Sequence, residues 1–321
     1  MMRIWFGLVL LAGALTTHAQ APNPQAMDVP AWFADTFLEF SEDVKEAARD
    51  GKRLMVYFGQ DGCPYCKQLM QTNFTQRAIV DKTRKHFVPV ALNIWGDREV
   101  QWTDGRRMSE KELARTLGIQ YTPTLFFLDK RGAIVARLNG YYPPPRFAAA
   151  LDYAAGLAGK GVRFEEYMKT AVKDSASPTL HDQPFFRRLP VELQGARPVA
   201  LLFETPYCAG CDELHVESFR RPQVRKLLER FDVYRLSLDD RRDAHGTWSG
   251  TLRVAYTPTI VFLDGGKEVF RVEAYLRPFH LASALEYVAS GAYRREPSFQ
   301  RFIQARAERR RERGQSVDLW K

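Results

Sequence analysis

The chain has 321 residues, 45% of them hydrophobic and 26% charged, which excludes bulk disorder and suits two domains of roughly 100–150 residues each. The formal net charge is +9, but Arg294 to Lys321 alone hold nine Lys/Arg against four Asp/Glu. The remainder is only mildly basic, which argues against a nucleic-acid face across the domains. All four cysteines fall in two C-x-x-C pairs, Cys63–Cys66 and Cys208–Cys211, whereas a disulfide-stapled scaffold needs more cysteines at wider spacings.

In chain order, residues 1–21 read as a signal peptide. Arg3 supplies the positive start, Ile4 to Leu15 an apolar run, and Thr17-His18-Ala19 or Ala19-Gln20-Ala21 small residues for cleavage. The apolar run falls short of the ~20 residues a membrane span needs, so export to the periplasm is expected. In that oxidising compartment, cysteines not used as staples read as working cysteines.

The first unit, residues 27–171, begins its pattern with the short apolar run Arg53–Phe58, expected to be a buried strand ahead of a loop. After Cys63-Pro64-Tyr65-Cys66, Lys67 to Arg84 show helical spacing through Leu69, Phe74 and Ile79. A strand at 87–93 and a helix around 109–118 follow, then Tyr121-Thr122-Pro123-Thr124 and a strand at Leu125–Leu128. Lys130-Arg131-Gly132 reads as a hairpin turn, and helices carry Ala150–Tyr153 and Phe164–Met168. The stretch Trp95 to Met108 is about ten residues longer than its counterpart in the second half and is expected to lie on a loop.

Residues 172–197 hold Pro178, Pro184 and Pro190 among few apolar residues and read as a linker, partly ordered around Phe185-Phe186. The second unit, 198–321, repeats the first: Val199–Phe203, Cys208-Ala209-Gly210-Cys211, a helical stretch from Asp212 to Arg230, a strand at 231–238, then Tyr256-Thr257-Pro258-Thr259 and Ile260–Leu263. Gly265-Gly266 reads as its hairpin turn, and Ala284–Tyr287 and Phe299–Ile303 as its closing helices. A period near 140 residues is a domain duplication, since solenoid periods run about 20–50. Strand–helix alternation followed by a hairpin and a final helix gives an α/β fold with a mixed sheet in each unit.

A C-x-x-C pair serves either zinc or redox chemistry. Structural zinc needs four ligands held together, and no unit has a second cysteine pair; His215 follows Cys211 on the helix without completing a set. The redox reading has positive support. The first cysteine of each pair ends a loop after a buried strand, and the second lies one helical turn later. The first sulfur then meets the unpaired N–H groups at the helix start, which favour the thiolate. Cys63 and Cys208 are thus the expected nucleophiles, and Cys66 and Cys211 the resolving thiols.

With these motifs, each unit resembles a thioredoxin-fold domain. The resemblance implies two tandem thioredoxin-like domains, each a mixed sheet flanked by helices with an appended C-terminal helix. It implies cis-proline loops at Thr122-Pro123 and Thr257-Pro258 that present backbone to a substrate chain, with Tyr65 and Tyr207 beside them. Asp61 through Leu69 of the first unit are similar to periplasmic SoxW-type thioredoxins, and Cys208 through Phe219 to the C-terminal periplasmic domain of DsbD-type electron carriers. Two departures stand out. Gly62 and Tyr207 replace the usual tryptophan before the first cysteine, and Tyr57 and Leu202 replace the usual buried carboxylate six residues before it. Asp61 and Glu204 lie nearby and read as loop charges, with a catalytic role as the alternative.

The basic stretch after Phe299 reads as a helix that starts docked and ends solvated. Its functional alternative is attraction to an anionic membrane surface or an acidic partner. The sequence therefore predicts a periplasmic thiol–disulfide oxidoreductase acting on protein substrates, with redox-active disulfides and no other cofactor or metal. Its direction is expected to be reductive, fed by a DsbD-type membrane donor. A protein disulfide isomerase or chaperone, and a non-catalytic binding protein on the same scaffold, are the alternatives.

Overall fold

A computed structural model describes residues 28–159, 161–172, 176–193, 195–238 and 246–319. The expected signal peptide lies outside the described residues. Among them, no helix is long and apolar enough to cross a membrane.

The first unit opens with α1 (Phe40–Arg49), which places Phe40, Val44 and Ala47 on its buried side. The apolar run forms β1 (Arg53–Gly59), buried at every position after Arg53. Helix α2 (Pro64–Gln68) carries the cysteine pair and runs into a π-helical turn at Leu69–Asn73 before α3 (Arg77–His86). Strand β2 (Phe87–Asn93), the short pair β3 (Glu99–Gln101) and β4 (Arg107–Ser109), and α4 (Glu110–Thr116) follow. The unit closes with β5 (Thr124–Leu128), β6 (Ile134–Asn139), α5 (Pro144–Ala155) and α6 (Phe164–Ala171).

The second unit repeats this order: β7 (Val199–Glu204), α7 (Ala209–Glu213) with a π turn at Leu214–Ser218, α8 (Pro222–Leu228) and β8 (Asp232–Ser237). Then come α9 (Gly246–Thr251), β9 (Thr259–Asp264), β10 (Lys267–Glu273), α10 (Pro278–Ala289) and α11 (Phe299–Glu312). The two sheets have matching orders, β2-β1-β5-β6 and β8-β7-β9-β10. In each, the central strand pairs in parallel with one neighbour and antiparallel with the other. The cysteine-bearing loop therefore leaves the end of a strand held on both sides.

Two expectations need correction. Trp95 to Met108 is no open loop: β3 and β4 pair there, and Val100 and Trp102 are buried against Phe40 and Leu38. The long helix expected from Lys67 to Arg84 is interrupted, as is its counterpart from Asp212. Phe74 N donates to Leu69 O at 3.2 Å and Phe219 N to Leu214 O at 2.9 Å, the i to i+5 pattern of a π turn, which recurs near functional sites.

The two units share one core. Tyr142 stacks on Tyr256 with centroids 4.2 Å apart, and Tyr121 packs between Phe270 and Phe299 at 5.7 Å from each. Aromatic pairs of this kind contribute about 0.5–1.5 kcal/mol beyond their buried area. Asn139 Nδ2 donates to Glu273 Oε2 at 2.5 Å, and the two residues hold the same place in their repeats, at the ends of β6 and β10.

Candidate functional site

Each cysteine pair is a disulfide with Cα atoms 5.2 Å apart. Cys63 and Cys208 are the N-caps of α2 and α7. Cys66 N donates to Cys63 Sγ at 3.0 Å, and Cys211 N donates to Cys208 Sγ at 3.2 Å. When the bond is opened, these N–H groups and the positive helix end face the sulfur that attacks, which favours its thiolate form.

The Thr122–Pro123 and Thr257–Pro258 peptide bonds are cis. Thr122 O lies 3.4 Å from Cys63 Sγ. The loop at each site is fastened in the same way. Thr124 Oγ1 donates to Tyr121 O and Thr259 Oγ1 to Tyr256 O, both at 2.8 Å. Gln60 Nε2 donates to Thr122 Oγ1 at 2.8 Å, and Thr205 and Thr257 share a hydroxyl bond at 3.1 Å. The π turn is tied to the loop after the last strand. Asn73 Nδ2 donates to Tyr142 O and Ser218 Oγ to Leu276 O, each at 2.9 Å. The structure therefore brings Cys63, Cys66, Thr122 and Pro123 together at one site and Cys208, Cys211, Thr257 and Pro258 at the other.

A family model for a thioredoxin-like domain matches the chain twice, at residues 40–155 and 191–289. The chain belongs to the thioredoxin-like domain family. Solved structures similar to parts of it include a thioredoxin-fold protein from Helicobacter pylori, with 26% identity over 44% of this chain and 87% of that one and a TM-score of 0.35. A thioredoxin from Thermus thermophilus shows 28% identity over 36% of this chain and 82% of its own, with a TM-score of 0.29. The oxidised C-terminal domain of DsbD from Neisseria meningitidis shows 18% identity over 38% of this chain and 96% of its own, with a TM-score of 0.28. No curated protein matches the chain. A tandem thioredoxin-like fold with two C-x-x-C pairs at disulfide distance gives the chain thiol–disulfide oxidoreductase character.

The thioredoxin-like sites differ in what surrounds the helix. At the first, Tyr57 holds the position where the family usually has a buried carboxylate. It is fully buried, its hydroxyl has no partner among the described residues, and burial pushes its ionisation up. A neutral phenol with a raised pKa is a poor proton acceptor. Tyr65, between the cysteines, turns away from solvent toward the second unit. Its hydroxyl accepts from Arg277 N at 2.9 Å and its ring meets that of His280 at 5.1 Å. The corresponding residue of the second site is Gly210, where a Cβ would come within 3.0 Å of Pro258 Cδ.

Glu204 corrects the sequence reading most sharply, since it is no loop charge. It ends β7, is 1% exposed, and its Oε1 lies 2.9 Å from Nε2 of the equally buried His215. Nδ1 of His215 meets Gln183 Nε2 at 3.0 Å, while Glu204 Oε2 has no partner among the described residues. His215 follows Cys211 by four residues, and Glu204 precedes Cys208 by four. The first unit has Gly59 and Met70 in those places. A signal was available: Ala200, Leu202 and Glu204 share one face of the strand by parity, and that face meets the cysteine-bearing helix.

The linker also belongs to the second site. Tyr207 N donates to Ser177 O at 2.7 Å, Ser177 N donates to Asp212 Oδ2 at 2.9 Å, and His181 Nε2 lies 2.6 Å from Asp212 Oδ1. Tyr207 stays 43% exposed and adopts the left-handed φ of 56°. A cavity of about 220 Å³ opens beside it, lined by Thr257 of the cis-proline loop and by Arg146 and Lys169 of the first unit.

At the first site the second unit lies across the opening. Gln60 Nε2 donates to Gln300 Oε1 at 2.7 Å, and Gln300 Nε2 donates to Gln120 O at 2.9 Å. These contacts anchor α11 on the first unit. The helix expected to start docked is buried through Ala307, with Arg306 Nε donating to Glu286 Oε2 at 2.6 Å. Among the described residues there is no group of three or more His, Cys, Asp or Glu that could hold a metal ion.

Proposed function

We propose that this protein is a periplasmic protein-disulfide oxidoreductase that reduces disulfides in exported proteins, using electrons from a DsbD-type membrane donor. The observation that carries the reading is the repeated cysteine geometry. In both units the first sulfur caps a helix and accepts the N–H of the second cysteine at 3.0 and 3.2 Å, beside a cis threonine–proline bond. Cys63 or Cys208, as thiolate, attacks a substrate disulfide and forms a mixed disulfide. Cys66 or Cys211 then attacks that bond, releases the reduced substrate and closes the C-x-x-C disulfide. The cis-proline loops, with Thr122, Pro123, Thr257 and Pro258, hold the substrate backbone. Tyr207 flanks it at the second site. The electrons reside in the cysteine pairs, without a further cofactor. Arg309, Arg311 and Arg313, exposed near the end of α11, supply at most a peripheral contact with anionic membrane.

The test is trapping. Full-length Cys66→Ala and Cys211→Ala variants, exported in cells, should accumulate mixed disulfides with exported proteins at whichever site those proteins reach, because the resolving thiol is gone. Finding no mixed disulfide with either variant contradicts the proposal. Unscrambling of ribonuclease without added reductant would replace reduction by isomerisation.

A further inference from the structure

Between the two units, beside the first disulfide, lies a cavity of about 110 Å³. Cys63, Thr122 and Tyr141 line it from the first unit, and Tyr275, His280 and Ile303 from the second. An apolar cavity of about 150 Å³ accommodates benzene, so this space takes one short arm of a small disulfide. A folded protein cannot reach Cys63 by this route. Tyr65 is bound to Arg277, and Gly140, at the end of the cis-proline groove, packs against Glu273 and Ala274.

His280 gives the cavity a polar anchor. The residue is only 8% exposed, and its Nδ1 is buried with no hydrogen-bond partner among the described residues. Burial, helped by the guanidinium groups of Arg277 and Arg306, pushes the imidazole down to about 4. The ring is therefore neutral near pH 7, and the edge of it that lines the cavity can exchange one hydrogen bond with a ligand.

We propose that this interdomain cavity binds a low-molecular-weight thiol or its disulfide, which exchanges with Cys63 while a polar group of the ligand meets the edge of the His280 imidazole that lines the cavity. The proposal rests on the exchange reading above and narrows it: the first pair serves small sulfur compounds, and the second serves protein chains. In the forward direction the Cys63 thiolate attacks one sulfur of RSSR. The RS–SR bond breaks, a Cys63–S–S–R bond forms, and RS⁻ leaves and takes up a proton. Cys66 gives up its proton and attacks the Cys63 sulfur, expelling the second RS⁻. The dithiol and RSSR thus become the Cys63–Cys66 disulfide and two RSH, with two electrons passed to the small disulfide. Excess RSH runs the same steps in reverse.

The experiment uses the full chain carrying Cys208→Ser and Cys211→Ser, so that only the first pair works. Its kcat/KM is measured with bis(2-hydroxyethyl) disulfide and with insulin. The small disulfide should be favoured at least about tenfold, and His280→Phe should raise its KM about tenfold, the worth of one hydrogen bond. His280→Gln, which keeps a polar partner, should recover part of that loss, and Ile303→Trp, which fills the cavity, should slow the small disulfide but not reduction by excess phosphine. Equal rates with insulin overturn the proposal, as do unchanged small-disulfide kinetics in both the His280→Phe and Ile303→Trp variants. A first pair inert to both disulfides, in a chain whose second pair still exchanges, overturns the exchange reading of that site as well.

Discussion

The two cysteine pairs share one framework and differ in their surroundings. Strand, capped helix, π turn and cis threonine–proline loop recur, down to matching side-chain bonds from Thr124 and Thr259. The space under the helix does not recur. The first pair has a phenol, Tyr57, with no partner among the described residues, and an aromatic residue, Tyr65, committed to the second unit. The second has the buried Glu204–His215 pair and an exposed neighbour, Tyr207. Duplication kept the parts that place the sulfurs and varied the side chains packed around them.

The largest expected effect tests the Glu204–His215 contact. His215→Leu strands a carboxylate that is 1% exposed, and breaking a buried pair costs about 3–5 kcal/mol. The counterpart Met70→Leu in the first unit should cost less than about 1.5 kcal/mol; urea unfolding of both variants makes the comparison. Next comes acid. His280 has a folded-state value of about 4 against 6.5 for the free side chain. The unfolded chain therefore binds a proton first as pH falls. Stability held above pH 6.5 should drop by about 3 kcal/mol on the way to pH 4, and His280→Phe should remove that part of the slope.

Glu204→Gln tests whether the carboxylate bonded to His215, four residues after Cys211, serves as a base for that thiol, while keeping the side-chain shape. In a chain with Cys63 and Cys66 changed to serine, turnover at neutral pH should fall about 10²-fold and recover as pH rises and hydroxide replaces the base. No change would make Glu204 structural only, and the two sites would then be chemically alike. Tyr65→Phe deletes the acceptor for Arg277 N, for about 1 kcal/mol, and should speed alkylation of the reduced Cys63. The smallest effect concerns the residue before each pair. Gly62 and Tyr207 adopt similar left-handed conformations, with φ of 66° and 56°. Tyr207→Gly should therefore gain up to about 1 kcal/mol in thermal unfolding, whereas Gly62→Ala should lose a similar amount.

Much of this was legible because it is local. The strands came from apolar runs, the sites from two cysteine pairs, and the duplication from the repeated Tyr-Thr-Pro-Thr. The π turns were also written there: Leu69 to Phe74 and Leu214 to Phe219 are five apart, a spacing that a 3.6-residue period absorbs without comment. Glu204 was misread because β7 runs one residue beyond its apolar run, so a charged side chain finishes a buried face. Closure of the first site was illegible for a different reason. Its contacts, Tyr65 to Arg277 and Gln60 to Gln300, lie 212 and 240 residues apart. No periodicity reports how two finished domains meet.

The most direct measurement follows each pair separately through a series of thiol–disulfide redox buffers. Alkylation is read by mass spectrometry and the fold by circular dichroism. Both pairs should reduce while the chain stays folded, with midpoints at least about 30 mV apart, equivalent to about 1.4 kcal/mol. A pair that stays unmodified until the fold is lost, or two pairs with the same midpoint, would contradict two working sites of different character.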